Sequence, residues 1–145
     1  SKKNVKAVVA GLDMNINYEK ITVASNILRK GKLLIATNPD KILPNEKGFQ
    51  PGAGSIIQSI IEATGPKLKK IFIGKPNIFL IKEALKVMKL NKKNVVLVGD
   101  QLETDILAAK NFNMKSILVE TGVPNNSKKI KASLKLKSLK NLFIE

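Results

Sequence analysis

Val95-Val96-Leu97-Val98-Gly99-Asp100-Gln101-Leu102-Glu103-Thr104-Asp105-Ile106 is an apolar run that stops abruptly in two carboxylates on a turn. A β-branched run of this length reads as a buried strand of a parallel sheet. In open α/β sheets the ligand crevice lies at the carboxyl ends of the strands, where Asp100 and Asp105 fall. Carboxylates in such a place are costly to desolvate unless a cation or a proton compensates them. Hard oxygen donors of this kind suit Mg²⁺, which takes one or two protein carboxylates and fills its other positions with water and phosphate oxygens. The plainer alternative puts Asp100 in an ordinary strand-to-helix turn and Asp105 in the first turn of the next helix.

A second charged turn lies upstream. Ile71-Phe72-Ile73-Gly74-Lys75-Pro76 is a short apolar strand running into a lysine, and Pro76 biases that lysine away from the helical region. Lysine is a compact point charge suited to a phosphoryl group, although in so lysine-rich a chain it also reads as a surface charge. Outward from these two turns the chain alternates strand and helix, the pattern of α/β layers. Strands are expected at residues 5–12, 33–37, 71–73, 95–98 and 116–119. Helices are expected at 18–30, closed by Gly31, and at 55–64, 77–89 and 104–111, with a short one at 138–142. Residues 38–54, rich in Pro, Gly and Asn, read as a long loop. Gly65-Pro66 and the basic stretch after it mark the expected boundary between residues 1–65 and 66–145. Strands 71–73, 95–98 and 116–119 are expected in one sheet, joined by right-handed crossovers.

Composition narrows the chemistry. The 145 residues carry 26 basic and 11 acidic side chains, a formal net charge of +15, with no histidine and no cysteine. That excludes disulfides, zinc thiolate sites, imidazole metal sites and any histidine-based triad within this chain. No apolar stretch approaches bilayer length and Ser1-Lys2-Lys3 shows no signal-peptide pattern, so a soluble, intracellular protein without membrane insertion is expected. The positive charge favours a polyanion, but the lysines are scattered through both halves. The few aromatics, Tyr18, Phe49, Phe72, Phe79, Phe112 and Phe143, read mostly as core, leaving no stacking platform for single strands.

Gly74-Lys75-Pro76, Val98-Gly99-Asp100 through Leu107, and Leu118-Val119-Glu120-Thr121-Gly122-Val123 resemble, in order, the third and fourth motifs of the haloacid dehalogenase superfamily and the segment that follows them. The narrower resemblance is to its NagD-like branch of nitrophenylphosphatases and phosphoglycolate or pyridoxal phosphate phosphatases. Residues 8–13, 17–20, Ala36-Thr37-Asn38-Pro39-Asp40 and Pro51-Gly52-Ala53-Gly54-Ser55 are similar to parts of that branch's cap domain. Gln101 and Glu103 depart from it, standing where the branch usually has Arg and Asp. The resemblance implies an α/β fold: the second half of an α/β cap over residues 1–65, then an incomplete Rossmann-like parallel-sheet core over 66–145.

The resemblance also implies a Mg²⁺-dependent phosphate monoester hydrolase working through an aspartyl-phosphate. Lys75 would be the catalytic cation and contact the phosphoryl group. Asp100 and Asp105 would form the metal site, Asp105 supporting a metal-bound water or Lys75. Asn38 and Asp40 would select a small phosphorylated metabolite. Enzymes of this superfamily open on Asp-x-Asp, whose first Asp is the nucleophile. None of the four aspartates here, Asp13, Asp40, Asp100 and Asp105, begins such a pair. The chain therefore reads as a C-terminal half, inactive alone, whose strand 95–98 needs cover from a partner chain, a swapped copy or an N-terminal half. Two alternatives stand beside this reading. One is a non-catalytic phosphatase-fold subunit acting as a structural or binding component of a larger, RNA-rich assembly; the other is a phosphate-ligand binder that keeps Lys75 without hydrolysis.

Overall fold

The computed structural model describes residues 4–122, 127 and 129–142. Val123 and Phe143 lie outside the described residues. The chain divides into two compact units, Ser1–Gly74 and Lys75–Glu145. Among the described residues no helix is long and apolar enough to cross a membrane.

In the first unit, β1 (Ala7–Ala10), β2 (Leu33–Ala36) and β5 (Lys70–Phe72) form a parallel sheet in the order β1-β2-β5, with Val8 opposite Leu34 and Ile35 opposite Ile71. Side chains alternate between the two faces of a strand. Val8, Ala10, Leu34, Ala36 and Phe72 point to one face and pack against α1 (Tyr18–Leu28) and α2 (Ala53–Thr64), where Leu28, Ile57 and Ile60 complete the core. The opposite face carries the row Val9, Ile35 and Ile71, of which Val9 is 70% and Ile71 46% exposed. Helix α1 starts where the Asn17 side chain accepts the Lys20 N–H at 2.9 Å. It stops before Gly31, whose φ of 79° lies in the left-handed region that glycine tolerates.

Two sequence expectations give way here. Residues 38–54 are not a plain loop: β3 (Ile42–Asn45) and β4 (Gly48–Pro51) form an antiparallel hairpin, with Leu43 opposite Gln50. Pro44 and Pro51 argue against a strand in a sheet interior, but a two-stranded ribbon has only edges, where proline costs no ladder bond. The turn is closed by Asn45, whose side-chain oxygen accepts the Lys47 N–H at 2.9 Å. Phe49 lies on this ribbon and is 73% exposed; Tyr18 and Phe79 are exposed too, so these aromatics are not core.

The strand expected at 71–73 does not join those at 95–98 and 116–119. It pairs with β2 instead, Phe72 enters the first unit's core, and Gly74 N–H donates to Thr37 O at 2.6 Å. The division between units therefore falls after Gly74 rather than at Gly65-Pro66.

The second unit has a parallel sheet in the order β6-β7-β8, built from β6 (Val96–Gly99), β7 (Lys115–Val119) and β8 (Leu134–Leu136). Strand β7 is central, and Ser116-Ile117-Leu118-Val119 are buried. Strand β8 lies in what reads as a basic tail; Leu134 and Leu136 are spaced by Lys135, too short a signal to stand out among lysines. Leu102, Ile106 and Leu118 form the core with Ile130 and Ala132. Helix α3 (Phe79–Met88) buries Leu85 but leaves Leu80, Val87 and Met88 exposed.

Candidate functional site

The site is built at the carboxyl end of β6. The chain leaves the strand at Gly99-Asp100 and winds through a wide π-helical turn, Leu102–Ile106, before narrowing into α4 (Leu107–Asn111). Asp105 and Ile106 both donate their backbone N–H to Gln101 O, at 3.0 and 3.2 Å. Such one-turn widenings occur often at functional sites because they redirect a side chain without ending the helix. Here the redirected side chain is Asp105, which turns back under the start of the turn.

Asp105 is only 5% exposed, yet its carboxylate is fully engaged. Lys75 Nζ donates to Oδ1 at 2.5 Å and forms an ion pair with it, and Gln101 N–H donates to Oδ2 at 3.3 Å. Thr104 Oγ1 donates to Gln101 Oε1 at 2.8 Å, so Gln101 braces the turn with its side chain as well as its backbone. The Lys75 side chain is 49% exposed, so the lysine reaches the surface while its ammonium pairs with Asp105. The Lys75-Pro76 peptide is cis, and Asn111 Nδ2 donates to Pro76 O at 3.2 Å.

Gly99 and Gly122 make the arrangement possible. A Cβ on Gly99 would stand against Cβ and Cγ of Asp105, and within 2.6 Å of its Oδ2. A Cβ on Gly122 would stand against Cβ, Cγ and Oδ2 of Asp100. The two carboxylates thus each occupy the space of a missing side chain. The segment holding Gly122 is tied to β8 through Glu120, whose N–H donates to Leu136 O at 3.0 Å and whose Oε1 pairs with Lys135 Nζ at 2.6 Å.

The Lys135 hydrogen bond and charge hold the Glu120 carboxyl below its ordinary value of 4.5. A depressed folded value means the pairing contributes stability above the unfolded value, and that contribution is lost as pH falls through the folded one. A carbon-13 titration of the Glu120 carboxyl should therefore give a midpoint below 4.5, moving back up in Lys135→Gln. An unchanged midpoint in the variant would refute the assignment of the shift to Lys135.

Of the candidate residues, the structure brings Lys75 and Asp105 into direct contact and puts Asp100 at the start of the same turn. Asn38 and Asp40 lie in the first unit, on one turn, where Asn38 Oδ1 accepts the Asp40 N–H at 3.2 Å. That turn is held against the start of α2: Gly54 N–H donates to Asp40 O and Gly52 N–H to Lys41 O, both at 2.8 Å. Ser55 Oγ adds a bond to Lys41 O at 2.6 Å. Gln101, Asn111, Gly99 and Gly122 escaped the sequence reading as site residues. The glycine at the strand end was the one local signal available.

The donor set fits a hard cation of the Mg²⁺ type. Among the described residues no group of three or more acidic side chains gathers to form an all-protein cage. Mg²⁺ does not need one, since one carboxylate with water and phosphate oxygens completes its octahedron. Asp100, which leaves the end of β6 in the same turn, is the carboxylate whose place at a strand end suits such an ion.

Residues 72–141 match the HAD-hydrolase-like family model. An acid sugar phosphatase of Staphylococcus haemolyticus is 44% identical over 121 residues, which is 83% of this chain and 45% of that protein. The chain belongs to the haloacid dehalogenase superfamily, in its NagD-like branch. Solved structures agree in fold and family. The 4-nitrophenylphosphatase of Thermotoga maritima superposes with a TM-score of 0.86 at 35% identity, over 98% of this chain and 56% of that one. The p-nitrophenyl phosphatase of Archaeoglobus fulgidus gives 0.84 at 34% identity, over 94% and 55%. The chain thus spans about half the length of the relatives it matches. Its mixed α/β architecture with parallel sheets is that of this superfamily, whose phosphatases are generally metal-dependent.

Proposed function

We propose that the chain supplies the second part of a Mg²⁺-dependent phosphate monoester hydrolase. In this reading Lys75–Glu145 belongs to the catalytic core and Ser1–Gly74 to the cap. The observation that carries it is the Lys75–Asp105 pair beside Asp100 at the end of β6. Transfer of a phosphoryl group needs charge stabilisation on its peripheral oxygens more than covalent chemistry from the protein. Lys75 provides a cation for those oxygens on a half-exposed side chain. Asp105, buried beneath it, orients that ammonium and takes no part in bond making. Asp100 would hold Mg²⁺, which when bound neutralises phosphoryl charge. Asn38 and Asp40 contact the leaving group of a small phosphorylated metabolite.

The nucleophile must come from residues outside this sequence, because no Asp-x-Asp pair is present in it. Strand β6 pairs only with β7 among the described residues, and α3 exposes Leu80, Val87 and Met88. An open strand edge and an exposed apolar helix face are both surfaces that a further polypeptide can cover. A polypeptide equivalent to the uncovered half of the relatives is the occupant that both completes the sheet and brings the nucleophile.

The chain by itself is therefore expected to release no nitrophenolate from 4-nitrophenyl phosphate with Mg²⁺ above the uncatalysed rate. Mixed with the first half of the Staphylococcus haemolyticus relative, it should gain turnover that Asp100→Asn abolishes. Hydrolysis by the chain alone, lost on Asp100→Asn, would overturn the division of labour. A mixture that forms a complex but never turns over would favour a non-catalytic role.

A further inference from the structure

We propose that Gly122 is the positioning residue for the Asp100 carboxylate, so that Glu120-Thr121-Gly122, directly after β7, form the back wall of the cation site. Its φ lies outside the left-handed region, so backbone conformation does not require glycine there. Space does. The atoms that an added Cβ would meet include the Cβ of Asp100 as well as its carboxylate. Turning Asp100 about χ1 moves the carboxylate but leaves that Cβ in place, so no rotamer change clears the overlap and backbone must shift.

The wall is anchored on its β7 side. Glu120, two residues before Gly122, is bound to β8 through its backbone N–H and through its side chain to Lys135. Strand β7, which leads into the connection, is buried and paired on both edges. A methyl group added at Gly122 is then expected to displace the other partner, the Gly99-Asp100 turn, which ends a strand paired on one edge among the described residues. The same turn carries Gly99, pressed by Asp105. Each of the two glycines thus leaves room for one carboxylate, Gly99 for Asp105 and Gly122 for Asp100.

The steric part of this inference stands on geometry alone; its consequence for a cation rests on the reading of Asp100 given above. Two measurements separate them. In a thermal double-mutant cycle, Gly122→Ala should lower the Tm, and the same substitution made in an Asp100→Gly background should cost at most half as much, because the overlapping Cβ is gone. If Gly122→Ala does not fold, recovery of the fold in the double variant reads the same coupling. Strictly additive losses would overturn the proposal. In the second measurement, Mn²⁺ is titrated into labelled chain and the broadening of the Gly99, Asp100 and Gln101 amide signals is followed. Gly122→Ala should weaken that broadening, with at least tenfold more Mn²⁺ needed, the scale of lost support around a ligand. Equal broadening in wild type and variant would overturn the proposal. Thermal coupling without any Mn²⁺ broadening in the wild type would leave Gly122 as the positioning residue and remove the cation reading of Asp100.

Discussion

In the assembled hydrolase, Lys75→Met is expected to lower turnover of 4-nitrophenyl phosphate by about 10²–10³-fold, the range for losing one preorganised electrostatic contact to a transition state. The same substitution should destabilise the isolated chain, because it strands Asp105. That carboxylate is 5% exposed and would keep only the Gln101 N–H at 3.3 Å. Breaking a fully buried pair costs about 3–5 kcal/mol; with Lys75 half exposed, about 1–3 kcal/mol is the fitting scale here. The reverse variant, Asp105→Ala, leaves an ammonium that reaches water, so it should cost less. Urea unfolding of the two variants tests that asymmetry. Equal losses would show that the Asp105 carboxylate is better solvated than its burial indicates, and undiminished turnover in Lys75→Met would remove Lys75 from the mechanism.

Gly54→Ala is expected to be the most damaging single methyl group in the first unit. Its Cβ would press on the Pro39 carbonyl and approach Asp40 O within 2.8 Å, and both obstacles are backbone atoms that no side-chain rotation moves. Gly54 is buried at the start of α2, directly beneath the turn bearing Asn38 and Asp40. Overpacking of a tight site costs about 1–3 kcal/mol, and a backbone wall puts this one at the upper end. Urea unfolding should show that loss, and hydrogen exchange at the Gly54 amide should quicken as its bond to Asp40 O lengthens. A variant with unchanged stability and unchanged exchange would show that the turn is free to yield.

Much of the site was legible because its signals are local. Asp100, Asp105 and Lys75 stand where apolar runs stop, and a β-rich run ending in charge marks a strand end whatever surrounds it. Asn17 and Gly31 bracket α1 by cap chemistry that needs only neighbouring residues. The hairpin was hidden because Pro44 and Pro51 are anti-strand signals everywhere except on a ribbon made of edges. Strand β8 was hidden because a pair of leucines among lysines carries no period.

The sequence by itself determined the main alternation of strands and helices, the absence of histidine and cysteine chemistry in this chain, and the placing of one cation and two carboxylates at or just beyond strand ends. Only the tertiary structure decided which sheet received Ile71-Phe72, since the same apolar residues satisfy either one until an edge of matching register is offered, and β2 offers it. Only the tertiary structure paired Lys75 with Asp105 and pressed Asp100 against Gly122, because those contacts join segments far apart in the chain. Local propensity acts over a few residues, whereas close packing is settled by whichever distant atoms arrive, and at Gly99 and Gly122 what arrives is a carboxylate in the space of a missing side chain.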